Sequence, residues 1–193
     1  MNVHELKVED RKRFDREYWK WVEHACDGYD WWDSVEESFK QDMKDKGVEV
    51  ERAYFSLAYS QGDYAMFSGW IDVGQWLRDN HPEQLVLIQE FSDYGRLKVS
   101  DRRRSTRVDF DWYPGNTAPG GIFADLASED WDALVDEASN AFDVEDEVND
   151  WLEDMAGNLY LQLQDEYEYL TSEEQFIDYC DANEIEFDDE TEE

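Results

Sequence analysis

After Arg107 the chain contains no lysine or arginine, and residues 125–193 carry 27 acidic side chains and no basic one. A segment so one-sided forgoes the Glu-to-Lys pairs that ordinary helical surfaces place four residues apart. Nothing within that region can neutralise its carboxylates locally. The preceding blocks are milder: six acids and six bases in 1–24, eleven and four in 25–74, seven and seven in 75–124. The formal net charge of −34 lies far beyond the ~2–8 units that keep a small domain soluble. It argues against a protein that grips DNA or RNA through a basic face of its own, because that binding neutralises phosphates with Lys and Arg. Anionic membranes would repel it as well.

Charge at this level produces disorder when apolar residues are scarce. Here nine Trp, eleven Tyr and ten Phe in 193 residues supply large side chains that are not normally left in a solvated tail. The reading is therefore one folded α+β domain over 1–187, with a helix-plus-sheet part (1–112), a linker (113–121), an acidic helical part (122–187) and an acidic tail (188–193). No apolar run approaches the ~18 residues of a membrane span, and the N-terminus lacks the apolar core of a secretion signal. A cytoplasmic location is expected. Cys26 and Cys180 form no CxxC pair and suit a reducing compartment as small core residues.

Apolar spacing predicts a helix over Leu6–His24 with Phe14, Tyr18, Trp21 and Val22 inward, and a second over Trp31–Lys46 with Trp32, Val35, Phe39 and Met43 inward, ended by Gly47. Val48–Tyr59 and Tyr64–Val73 read as a β-hairpin around the turn Ser60-Gln61-Gly62-Asp63. Gln84–Phe91 has the composition of a buried strand, although a helical turn could start it. Tyr94–Val99 and Thr106–Trp112 form another hairpin around the basic tip Asp101–Arg104. The sheet then has four or five strands, mostly antiparallel, flanked by the N-terminal helices and the acidic C-terminal ones. From a cap at Ser128, apolar residues recur at helical steps through Trp131, Leu134, Phe142, Val148, Leu152, Leu159 and Leu163, with a kink or break near Asp143–Asp146. Thr171-Ser172-Glu173-Glu174 caps a short helix through Cys180, and Glu184–Phe187 adds a last strand.

The hairpin segment Ala53–Gly69 (AYFSLAYSQGDYAMFSG), preceded by Tyr29-Asp30-Trp31-Trp32, resembles a motif of uncharacterised acidic accessory proteins of tailed phages, in which a YFSGFWSQGDGAxFxG-like string follows a YDWW-like helix start. The stretch Asp165–Glu174 (DEYEYLTSEE), followed by Ala182-Asn183-Glu184 and Phe187, is similar to the EYEYLTSDE…ANEYEF ending of the same family. The resemblance implies a phage origin and an accessory role, and some members carry a toxin–antitoxin label. Where such proteins have a His-rich HRGHYYHE-like strand, this chain has Tyr94–Arg104 (YGRLKVSDRRR). A metal or catalytic role for those histidines does not carry over.

His4, His24 and His81 fit no HxH, HExxH or HxxxH pattern, so no zinc site is expected. With 51 acids, chance carboxylate pairs are certain and point to no glycosidic chemistry. Asp143–Asp150 is rich in ligand oxygens but lacks the DxDxDG spacing and turn glycine of a calcium loop. Arg102–Arg104 reads as a basic tip serving solubility or an intramolecular contact. No nucleophile, base and orienter can be assembled, so the expectation is a non-enzyme without cofactor or metal.

Between Glu129 and Asp154 lie twelve carboxylates in 26 residues, which on a helix gives one per ~3.3 Å of axis, close to the ~3.4 Å between phosphates of a strand. The expected function is stoichiometric inhibition of a host nucleic-acid-binding defence or repair protein by acidic mimicry, with no direct contact to nucleic acid or membrane. The expected face is Glu129, Asp132, Asp136, Asp143, Asp146, Asp150 and Asp154. The alternative is an antitoxin-like interaction module whose contacts are Trp31, Trp32, Tyr59, Gln61, Asp63, Tyr64 and Trp70, with the acid serving solubility.

Overall fold

A computed structural model describes residues 1–57, 62–102, 105–108 and 143–188. In chain order these form α1 (Val3–Glu9), α2 (Arg11–Val22), α3 (Asp33–Asp45), β1 (Val48–Ser56), β2 (Tyr64–Asp72), α4 (Val73–Asn80), α5 (Leu85–Tyr94), β3 (Arg96–Arg102), β4 (Ser105–Val108), α6 (Val144–Leu170) and α7 (Glu173–Ala182). The strands make one antiparallel sheet in the order β1-β2-β3-β4, and the fold is α+β. The chain divides into a helical unit, Met1–Ser34 with Gln162–Glu193, and a sheet unit, Val35–Leu161. Each carries a net charge of −17, from 23 acids and six bases in the first and 28 and eleven in the second.

In the sheet unit, β2 alternates strictly, burying Ala65, Phe67, Gly69 and Ile71, the period that lets one face of a strand enter a core. Its pairing with β1 slips between Val50 and Arg52, leaving Glu51 as the extra residue of a β-bulge. A Cβ at Gly69 would lie 1.9 Å from the Glu49 carbonyl oxygen, so only glycine lets the two strands close there. The β2–β3 register runs from Asp72↔Arg96 to Gly69↔Val99. Past that point the fully buried Thr106 of β4 takes over, its Oγ1 accepting the Phe67 N–H at 3.0 Å.

Helix α6 buries Val144, Val148, Leu152, Ala156, Leu159 and Leu163 at steps of four and three, the apolar stripe of an amphipathic helix. Each fully buried Val or Leu contributes about 1.5–3 kcal/mol, against about 0–1 kcal/mol for an exposed ion pair. Burial therefore holds this helix. Asn149 Oδ1 accepts the Val108 N–H at 2.8 Å, and the Trp151 ring meets Trp76 edge-on at 6.2 Å.

The helical unit is built on Val3, Leu6, Phe14, Phe176 and Cys180, with Met1, Tyr18, Trp21, Ile177, Ile185 and Phe187 packed around them. Arg11 donates to both Glu173 oxygens while its guanidinium lies 5.0 Å over the Phe14 ring. Lys7 reaches the same carboxylate at 3.1 Å. Hydrogen bonds from Arg11 first and Lys7 second hold the Glu173 carboxyl below its ordinary value. Tyr18 donates its hydroxyl to the Thr171 carbonyl at 2.7 Å. After α7 the chain turns through Glu184 at φ +52°. Ile185 N–H bonds the Cys180 carbonyl at 2.9 Å and Glu184 N–H that of Asp181 at 3.2 Å, the paired bonds of a Schellman cap, whose left-handed position glycine normally fills. A non-glycine residue there costs about 1–2 kcal/mol.

Four expected elements are corrected. Leu6–His24 is two helices, because Asp10 leaves helical geometry and its side chain caps α2 through the Arg13 N–H at 3.1 Å. The first of them starts earlier, at a capping box of Asn2 and Glu5. Gln84–Phe91 belongs to helix α5, with Leu87 and Phe91 buried one turn apart. β2 and β3 bond each other directly, which leaves no gap for an intervening strand. Between them also stands α4, capped by Asp72 through the Gln75 N–H at 2.7 Å. Glu184–Phe187 is not a strand: one residue, Phe187, exchanges backbone bonds with Met1 at 2.8 and 3.3 Å. The second helix starts at Asp33 rather than Trp31, and its expected stop, Gly47, has φ +81°. The linker 113–121 and the helix expected from Ser128 lie outside the described residues. The expected break near Asp143 coincides with the start of α6.

Two substitutions test this architecture by urea unfolding. Thr106→Val strands the buried Phe67 N–H and is expected to lose about 1–3 kcal/mol, whereas Thr106→Ser keeps the acceptor and loses clearly less. For Glu173→Gln, the loss relative to wild type is expected to be full near neutral pH. It should vanish as acid passes through the depressed Glu173 value, because a lowered folded-state pKa stabilises only while the group is ionised. An equal loss at both pH extremes would contradict the ion-pair assignment.

Candidate functional site

Along α6 the carboxylates of Asp146, Asp150 and Asp154 recur every fourth residue, about 6 Å apart on the axis, and all three are exposed. Among the described residues no cation pairs with them. Their neighbours differ: Glu147 lies 3.8 Å from His81, and Glu153 is 3.2 Å from Arg107. The fourth described member of the expected face, Asp143, caps the helix, its Oδ1 accepting the Asp146 N–H at 3.2 Å. A carboxylate there stabilises the helix terminus. Glu129, Asp132 and Asp136 lie outside the described residues.

The expected aromatic contacts are largely engaged within the fold. Trp31 meets Trp32 edge-on at 5.7 Å and Tyr167 at 5.6 Å. Trp70 donates its indole N–H to Glu51 at 3.0 Å. Asp63 and Tyr64 rim a cleft of about 320 Å³ with Ser105, Glu153, Gly157 and Tyr160. Tyr59 and Gln61 lie outside the described residues, as do Arg103 and Arg104 of the basic tip.

Among the described residues the aromatics most open to solvent are others: Trp19, Tyr29, Tyr169 and Tyr179, at 61%, 51%, 57% and 45% exposure. All four belong to the helical unit. Trp19 was detectable as a tryptophan one step off the Phe14–Tyr18–Trp21 stripe, and Tyr179 as a tyrosine beside the Phe176–Cys180 pair. In the same unit a groove of about 460 Å³ opens between α2 and α7, lined by Trp21, His24, Phe176, Tyr179, Cys180, Ile185 and Phe187, with Glu17 and Lys20 at its edge. Burial pushes the Cys180 thiol up to about 11, far from the thiolate a nucleophile needs.

Each histidine faces a carboxylate: His4 and Asp181 at 2.8 Å, His24 and Asp27 at 2.9 Å, His81 and Glu83 at 3.4 Å. Among the described residues no three His, Cys, Asp or Glu side chains converge to hold a metal ion. No described helix is long and apolar enough to cross a membrane.

No curated protein and no solved structure matches the chain. A family model does, over residues 31–173: that of a domain of unknown function, DUF8835. The match takes in α3 to α6 with the whole described sheet, so the chain belongs to the DUF8835 family.

Proposed function

We propose that the protein is a phage accessory inhibitor, active in the cytoplasm of the infected host, that occupies the nucleic-acid-binding surface of a defence or repair protein as a stoichiometric acidic mimic. The observation that carries this reading is the row Asp146, Asp150 and Asp154 on α6, exposed and without a paired cation among the described residues. Rigidity supports it too. The stripe Val144–Leu163 fixes the helix from its other side, so the charges are presented in place rather than on a flexible tail. A preorganised row of like charge steers a basic groove toward it and raises the association rate, with a steep dependence on salt. No catalytic residue is required.

A second reading, an antitoxin-like interaction module, is favoured by the exposed aromatics, though on Trp19, Tyr29, Tyr169 and Tyr179 rather than those first expected. Aromatic anchors in an interface resist salt and are costly to truncate.

The two readings separate in one experiment. Immobilised protein captures partners from nuclease-treated bacterial lysate, and bound material is released by a salt step or by added duplex DNA. Mimicry predicts a nucleic-acid-binding partner displaced by duplex, with binding about tenfold weaker or more for the triple variant Asp146→Asn, Asp150→Asn, Asp154→Asn. A partner that resists salt, ignores duplex and is lost on Trp19→Ala overturns mimicry in favour of the aromatic module.

A further inference from the structure

We propose that the groove between α2 and α7 receives an arginine side chain from a protein partner. Its walls are aromatic: Trp21 stands 5.5 Å from Phe176 and 6.0 Å from Tyr179, ring centre to ring centre, and Ile185 and Phe187 complete the lining. Ring faces carry negative charge density and attract cations, guanidinium most often, because its plane stacks on theirs. The surroundings select the same sign of ligand. The helical unit is net −17, and the lysine at the mouth, Lys20, is already held by Glu17 at 3.0 and 3.1 Å.

Two exposed carboxylates, Glu184 and Glu186, alternate with the lining residues Ile185 and Phe187. Glu184 is the residue held at φ +52°. Glycine would fit that turn without strain, so the cap geometry does not explain a glutamate. Strain of this kind collects at binding sites, and here it keeps a charge beside an aromatic groove. The same unit already pairs a cation with a ring and a carboxylate, where Arg11 lies over Phe14 and bonds Glu173. The groove offers an incoming arginine the rings, and Glu184 and Glu186 stand next to its lining residues in the chain. Its residues fall outside the span 31–173 matched by the family, and the inference is independent of the acidic row on α6.

The test is nitrogen-15 NMR of the full chain titrated with the blocked peptide Gly-Arg-Gly and its lysine and citrulline counterparts. The readouts are the Trp21 indole N–H and the Tyr179 and Ile185 amides, against the Asp150 amide on α6. The arginine peptide is expected to move the groove signals saturably, lysine less, and uncharged citrulline hardly at all. Tyr179→Ala, at an exposed position, should weaken binding about threefold to tenfold. Glu184→Gly should weaken it as well while melting no lower than wild type, which separates a lost ligand contact from a damaged fold. Equal shifts with arginine and citrulline, no loss in Tyr179→Ala, or shifts confined to Asp150 would overturn the proposal. Failure of the acidic row with the groove signals intact would instead remove only the mimicry reading.

Discussion

The longest acidic helix of this protein, α6, depends on one apolar stripe among the described residues. Helix α6 runs for 27 residues without a single basic side chain, and isolated in water it would suffer repulsion between carboxylates with no Glu-to-Lys pair to offset it. Six residues from Val144 to Leu163, buried one helical turn after another, fix it regardless. Once burial supplies the stability, Asp146, Asp150 and Asp154 need no cation among the described residues to hold the helix. That freedom makes a charged face available to a partner.

Several of the described cations pair with carboxylates or carbonyls of the fold. In the helical unit Lys7 and Arg11 converge on Glu173, and Arg13 donates to the Asp188 carbonyl at 2.6 Å. In the sheet unit Arg107 meets Glu153 and Arg96 meets Glu49. The near-neutral N-terminal segment is therefore the counter-charge of α7, brought there by folding across more than 150 residues of sequence. What remains is a surface that is negative in both units, interrupted in the helical one by exposed aromatics.

Much of the architecture was legible because it rests on local chemistry. The β1–β2 hairpin, the stop at Gly47 and the Ser172 cap each follow from residue types whose backbone or side-chain bonding decides the outcome nearby. The failures came where tertiary context decides. Leu85–Ile88 is apolar whether buried as strand or helix, and only the direct pairing of β2 with β3 excludes the strand. Asp10 competes with helix continuation by capping the next helix, a choice spacing alone does not reveal. The acidic row was readable as carboxylates off the apolar stripe. The groove was not, because Trp21 lies more than 150 residues from Tyr179 and Phe187, and periodicity marks which residues turn inward, not where two inward faces leave a gap.

Apolar burial holds the fold against its own charge. Urea unfolding measured from about 10 mM to about 1 M sodium chloride tests it directly, because the screening length falls from about 30 Å to about 3 Å over that range. If repulsion among the net 34 negative charges opposes folding, the midpoint rises steadily as salt screens it. A midpoint that falls with salt would mean instead that ion pairs, not apolar burial, hold the structure together.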